Sequence, residues 1–147
     1  MAPEYTATDC AGLVTKALGA AAGSEKLYIN IDSVEPGMYS AKYHSHTKQE
    51  EFFLILEGSG TLRLNNKQYP VAKGNFIAKP AGKNIAHTFY NSGSGTLIIL
   101  DAGTVEPFDE CYYPDEGITL RKDNGKRSVC GPPEEAKGWS SEPNAQR

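Results

Sequence analysis

The sequence predicts an all-β domain, either a sandwich or a barrel. Two observations carry this expectation. Seven or eight short runs of strand character are separated by turn residues. No long helical pattern lies between them, which disfavours a parallel α/β sheet. A third observation bounds the size: 147 residues suit one domain and can bury a core without disulfide staples.

Residues 1–24 are rich in Ala and Gly, and a short helix is expected over 9–18 with Thr8 or Asp9 as its N-cap. From Lys26 the texture becomes that of strands. Leu27, Ile29 and Ile31 alternate with Tyr28, Asn30 and Asp32, the period-two sign of a half-buried strand. Pro36-Gly37 marks a turn, and residues 38–46 read as the next strand. The apolar run 52–56 ends at Gly58-Ser-Gly60. Runs 61–64 and 68–71 flank Asn65-Asn66, a hairpin turn. Lys73-Gly74 turns the chain into a strand at 75–79, which Pro80-Ala-Gly82 breaks. Runs 86–90 and 96–101 complete the series. After Gly103 the chain is rich in Asp, Glu and Tyr, with one short strand expected at 118–120. Residues 131–147 carry Pro132-Pro133 and Pro143 and read as a loosely held tail. No repeat of longer period is present.

Lys plus Arg is 15 and Asp plus Glu is 18, for a formal charge of −3. A mildly acidic chain without a basic block gives no reason to expect nucleic acid or an anionic membrane as partner. No apolar run is long enough to span a bilayer, and the N-terminus lacks the basic start and apolar stretch of a secretory signal. The three cysteines, Cys10, Cys111 and Cys130, are odd in number and include no close pair. The expectation is a cytoplasmic protein with reduced thiols, a Cys10–Cys130 bridge between the two ends being the open alternative.

The chemistry-bearing residues are the three histidines and a glutamate. His44 and His46 lie two apart in an expected strand, so both imidazoles project from one face. The polar stretch 47–50 can turn the chain, which lets Glu51 return beside them; Glu50 is the rival, since it also follows the turn. His87 lies on a later strand just past Pro80-Ala-Gly82. Three imidazoles and a carboxylate suit one divalent ion of Mn, Fe, Co, Ni or Zn. Six-coordination would leave two positions open for water or substrate. Lys42 shares strand parity with His44 and His46, so it is expected to point inward as an anion-binding or proton-carrying residue; its alternative is a rim lysine reaching solvent. Lys79, near the same cluster in sequence, is a lesser candidate. Phe53, Ile55 and Phe89 are expected to line the barrel as packing or as a substrate wall. Phe52, Leu54 and Leu56 form the outward set of a strand that is apolar on both faces and therefore needs cover.

Two stretches carry a resemblance to a known superfamily. The first runs Gly37-Met-Tyr-Ser-Ala-Lys-Tyr-His44-Ser-His46-Thr-Lys-Gln-Glu-Glu51-Phe-Phe-Leu-Ile-Leu-Glu-Gly58. The second runs Gly74-Asn-Phe-Ile-Ala-Lys-Pro80-Ala-Gly82-Lys-Asn-Ile-Ala-His87-Thr-Phe-Tyr-Asn91. They resemble the two cupin motifs, in the right order and with the short spacing of small bacterial single-domain members. The Gly37–His44 segment is slightly longer than the motif's, as is the Gly82–His87 segment. Counting back from Gly58 in the motif selects Glu51 over Glu50. The resemblance covers roughly residues 26–103 and implies a jelly-roll barrel holding one metal ion through His44, His46, Glu51 and His87. The whole chain, residues 1–147, is then a single cupin domain. Its barrel core spans about 26–103, with a short N-terminal segment and a C-terminal arm and tail at 104–147. Within the arm, Tyr112-Tyr113-Pro114-Asp115-Glu116-Gly117 resembles a tail segment of some small bacterial cupins; an arm lying over the barrel is the alternative.

Cupins with this ligand set include dioxygenases, decarboxylases, isomerases, epimerases and non-enzymatic binders, so the resemblance does not select a reaction. The expectation is an enzyme on a small molecule: a metal-dependent sugar-phosphate isomerase or an iron-dependent dioxygenase. The alternative is a metal-assisted sugar or metabolite binding or sensing module. The P-x-G that precedes H-x-H in cupin-type phosphoglucose isomerases is missing, Tyr43 standing directly before His44. A homodimer is expected, as is common among cupins.

Overall fold

The structure is a computed structural model that describes residues 7–145, with side chains from Ala11 onward. Thirteen strands and two single-turn helices follow one another along these residues. The chain opens on a hairpin of β1 (Ala7–Cys10) and β2 (Leu13–Ala17), where a helix over 9–18 was expected. Gly12, at φ +76°, supplies the left-handed conformation that the tight turn needs. Val14 and Thr15 are β-branched and favour the extended backbone of β2. β2 then pairs with β3 (Leu27–Val34), so its backbone is satisfied by a neighbouring strand rather than by a helix. The helical part shrinks to α1 (Leu18–Ala21).

The barrel continues through β4 (Ser45–His46), β5 (Glu51–Glu57), β6 (Ser59–Leu64), β7 (Lys67–Ala72), β8 (Phe76–Lys79), β9 (His87–Tyr90) and β10 (Leu97–Thr104). It is completed by β11 (Phe108–Tyr113), β12 (Ile118–Asp123), β13 (Lys126–Cys130) and the terminal turn α2 (Pro133–Ala136). Three antiparallel sheets form a jelly-roll barrel, with strand orders β1-β2-β3-β10-β5-β8, β13-β12-β11-β4 and β7-β6-β9. Asn65 and Asn66 both have positive φ, 49° and 62°, in the mirror-image turn that two-residue hairpins favour. Gly58 sits at φ +83° against β10; a Cβ there would lie 2.5 Å from the Thr96 carbonyl oxygen. Among the described residues no helix is long and apolar enough to cross a membrane.

Phe53, Ile55, Leu62, Phe89, Leu97 and Ile99 form most of the barrel core together with Val34. Asn91 closes one end of it. Its buried amide donates to the carbonyls of Val34 and Gly95, both at 2.8 Å, and its Oδ1 accepts from Gly93 N–H. A second cluster of Cys111, Tyr113, Ile118 and Leu120 is covered by Ala136 and Trp139.

Two expectations are corrected here, and the inward face of β3 is assigned. The strand expected over 38–46 forms only β4 and two isolated bridges, Tyr39–Tyr90 and His44–His87, because the backbone bends away between them. The tail is not loose. Trp139 packs edge-on against Tyr113 and its indole N–H donates to Glu116 at 3.0 Å, while the Asn144 side chain bonds both backbone groups of Tyr39. Strand β3 faces its polar residues, Tyr28, Asn30 and Asp32, into the barrel, and leaves Leu27 45 % exposed. Of the cysteines, Cys111 is buried and free and Cys130 exposed and free; the expected alternative pairing through Cys10 lies outside the described side chains.

Candidate metal centre

The barrel holds an open cavity of about 300 Å³ whose wall includes His44, His46, Glu51 and His87. His44 and His87 are brought face to face by a reciprocal pair of backbone hydrogen bonds, 3.0 and 3.2 Å long. His46 stands on β4, which pairs with β11 through His46 and Cys111. Glu51 opens β5 and is 5 % exposed, whereas its neighbour Glu50 is exposed and faces away. The polar turn at 47–50 returns the chain as expected, and Glu51 rather than Glu50 reaches the histidines.

The nitrogen positions define what the site can bind. His44 Nδ1 lies 2.6 Å from the Lys42 carbonyl oxygen, which can only accept, so Nδ1 carries the proton. His46 Nδ1 lies 2.6 Å from Asp109 Oδ2 and is protonated for the same reason. The two Nε2 atoms then face each other at 3.1 Å, and Glu51 Oε1 lies 3.1 Å from His46 Nε2. Two ligand atoms each about 2.1 Å from one ion, at right angles, stand about 3.0 Å apart. Lone pairs converging at this spacing need a cation or a proton between them. His44, His46 and Glu51 therefore form a cluster whose ligand atoms all lie within 4.8 Å of one another.

Electrostatics agree. Burial, with the Lys79 and His46 charges beside it, pushes the His44 imidazole down to about 3, so it is a neutral donor of a lone pair. Burial alone would lower His46 too, but hydrogen bonds with Asp109, Cys111 and Glu51 outweigh it and raise His46 to about 11. Without an ion, a proton on His46 Nε2 thus fills the gap. Burial works against ionisation of Glu51, yet the hydrogen bond with His46 and the Lys79 charge hold its carboxyl far below the usual carboxylate range. Glu51 Oε2 is buried and ion-paired with Lys79 Nζ at 2.8 Å, which leaves Oε1 as the carboxylate oxygen facing the two imidazoles. The residues present fit a divalent ion.

His87 borders the cluster and does not belong to it. Its Nδ1 accepts from Lys79 Nζ at 2.8 Å and lies 3.9 Å from Glu51 Oε2. Burial and the Lys79 charge keep His87 neutral, well below the usual histidine range. Lys79 itself is 1 % exposed and lies between Glu51 and His87. Lys42 does not share the cavity. Its Nζ pairs with Glu116 at 3.1 Å and lies 5.1 Å from the Trp139 ring centre, in a groove between the barrel and the tail. Strand parity put it inward, but residues 39–43 are not a continuous strand, so the two-residue count fails between Lys42 and His44.

Several residues at the site carry no motif. Asp109 accepts from His46, from Thr47 Oγ1 and from the backbone N–H of Lys48; Cys111 Sγ lies 3.3 Å from His46 Nδ1. Tyr28 O–H reaches Asp101 at 2.8 Å and Glu51 at 3.1 Å, and Gln49 donates to Glu51 at 2.9 Å. The polar alternate positions of β3 were the one visible sign of this group in the sequence. Phe53 and Phe89 line the cavity, while Ile55 belongs to the core beneath it.

The family model described as Cupin domain matches residues 30–103. A provisionally named sugar phosphate isomerase from Acidithiobacillus ferrooxidans is 36 % identical, with 81 % of this chain and 76 % of that chain covered and a TM-score of 0.78. A sugar phosphate isomerase of the cupin superfamily from Silicibacter pomeroyi is 26 % identical over 88 % of each chain, with a TM-score of 0.80. Salicylate 1,2-dioxygenase from Pseudoaminobacter salicylatoxidans, 15 % identical with a TM-score of 0.54 over 67 % of this chain and 26 % of that one, shares the fold alone. No curated protein sequence matches the chain significantly.

Proposed function

The chain belongs to the cupin family, and from that premise we propose that it is a metal-dependent isomerase of a small sugar phosphate. The observation that carries this reading is the convergence of His44 Nε2, His46 Nε2 and Glu51 Oε1 on one side of a cavity open to solvent. The likeness to the two sugar phosphate isomerases supports the substrate class. His44, His46 and Glu51 would hold the ion, with His87 as the fourth ligand once Lys79 releases its Nδ1. A bound divalent ion would polarise the carbonyl and the adjacent hydroxyl of the substrate.

The chain's own residues do the rest. Asp109 holds a proton on His46 Nδ1 and so presents Nε2 to the cavity. Gln49 and Tyr28 hold Glu51 Oε1 in place, and Lys79 keeps the Glu51 carboxyl charged. Phe53, Phe89 and Ile99 exclude water from the floor. Lys42 has no role in this scheme. The Phe52–Phe76 ring pair, 5.8 Å between centres and exposed on the outside of the six-stranded sheet, supports a homodimer.

The test is a screen of tetrose, pentose and hexose phosphates for aldose–ketose conversion, with the ion removed by a chelator and restored. The expected result is conversion of at least one of them that chelation abolishes and added metal recovers. Conversion that is indifferent to chelation, or none across the series with the ion in place, contradicts the proposal.

A further inference from the structure

The inner face of the six-stranded sheet carries a polar strip of which only the Tyr28 hydroxyl touches the metal centre. Along β3, Tyr28, Asn30 and Asp32 line the cavity, and Asp101 on β10 lies directly across from Asn30. On the other side of Asp101, β5 places Phe53 in register, so a polar wall adjoins an apolar one. We propose that Tyr28, Asn30, Asp32 and Asp101 form a subsite for the vicinal hydroxyl groups of a sugar or polyol chain; this rests on the reading of the cavity as a sugar-phosphate site.

The register of β3 argues against a purely structural role. A one-residue slip would bury Leu27, Ile29 and Ile31 and free the polar residues to solvent. The fold instead leaves Leu27 45 % exposed and buries Asp32 to 6 %. Burying carboxyl groups is costly unless something answers them. Asp32 and Asp101, on the paired strands β3 and β10, interact with each other, and burial raises both carboxyls above the usual range. Thr15 donates to Asp32 at 2.7 Å and Tyr28 to Asp101 at 2.8 Å. Among the described residues the Asn30 amide has no side-chain hydrogen bond, although it borders the cavity. A carboxyl–carboxylate pair with an amide and a phenol beside it offers donors and acceptors together, as adjacent hydroxyls require.

Gly103 shows that the Tyr28 position depends on a gap in β10. A Cβ at 103 would lie 2.7 Å from Tyr28 Cε1 and 3.0 Å from its hydroxyl oxygen, so only glycine lets the ring cross β10. Phe53, Phe89 and Ile99 then supply an apolar surface for the C–H face of a ring or chain. The carboxyls repel a phosphate from this wall. Lys122, the one lysine among the described residues that lines the cavity, is where the phosphate end belongs.

The experiment is saturation-transfer NMR on the protein as purified, with ribitol and with 1,5-pentanediol, which has the same chain length but no vicinal hydroxyls. Wild type is expected to bind ribitol and not pentanediol. Asp101→Asn and Asp32→Asn are each expected to weaken ribitol binding about tenfold or more, because buried polar groups are left unpaired. Metal content should be retained and melting not lowered. Asn30→Ala, at a partly exposed position, serves where the other variants fail to fold, and the same loss is expected of it. Equal binding of ribitol and pentanediol, or wild-type affinity for ribitol in the folded variants, overturns the subsite. Ribitol binding that responds to these variants in a protein converting no sugar phosphate sustains the subsite and removes the isomerase. Turnover of a sugar phosphate by Asp101→Asn with an unchanged KM removes the subsite and leaves the isomerase.

Discussion

His46 is the residue on which the site turns. One ring nitrogen faces the cavity and the other is bound to Asp109, so two different elements decide its tautomer and direction. Asp109→Asn should leave the barrel folded and weaken divalent metal binding about 10- to 100-fold, as loss of an orienting partner does for metal-bound histidines; calorimetric titration checks this. Unchanged affinity would show that Asp109 only braces the 47–49 turn. Proton linkage has a definite sign. In the metal-free protein His46 is raised to about 11, so its contribution to folding is fully present below the ordinary histidine value and is lost as pH rises through 11. Asp109 is held below its ordinary value, so its contribution is present at neutral pH and lost as pH falls through the depressed value. Between these limits an ion must displace the His46 Nε2 proton. Binding should release about one proton per ion, and apparent affinity should rise about tenfold per pH unit from pH 7 to 9. A pH-stat titration with no proton release would show that His46 is already neutral.

At the level of elements, strands were readable where one face is apolar and turns are marked by Gly or Asn. β5, β6, β7 and their turns follow from that pattern, and the count to Glu51 holds because the polar turn at 47–50 is real. Three elements were not readable, each for a physical reason. The N-terminal Ala-rich segment has helical composition, but an open edge at β3 offers β2 a complete ladder. The stretch before His44 looks like a strand by composition, but it is held by two isolated bridges, and this moved Lys42 out of the cavity. In β3 the alternation was legible but not which face turns inward, and the polar face does so because the barrel interior here is a polar cavity rather than a core. That inward polar face has a thermodynamic consequence. A carboxyl raised by burial stabilises the fold below its ordinary value of 3.8, and this contribution is lost as pH rises through the raised value. Asp101→Asn removes the penalty, so its melting temperature should exceed that of wild type at pH 7, with the gap closing toward pH 4. Thermal denaturation across that range checks it, and a variant less stable than wild type at neutral pH would mean that the Asp32–Asp101 pair carries net stabilisation.

Across the whole molecule, the barrel and the C-terminal sheet share one task. The two motifs supply His44, His46, Glu51 and His87, but the partners that orient His46 come from β11, beyond the family match at residue 103. β11 is fixed in turn by β12 and by the Trp139 tail that covers Tyr113 and Ile118. The motifs made the candidate ligands legible because their glycines and spacing constrain the backbone locally. Asp109 and Asp101 were not legible, since their roles depend on which strands become neighbours in the closed barrel. Lys79 was visible in sequence, but its place between Glu51 and His87 follows from the β5–β8 register, which pairs it with Glu51. The most direct test of the metal centre is elemental analysis of protein purified without added metal, for wild type, His44→Ala and Glu51→Gln. The account predicts close to one divalent transition ion per chain in wild type and little or none in either folded variant. No ion in wild type even after loading, or full occupancy in both variants, would contradict it.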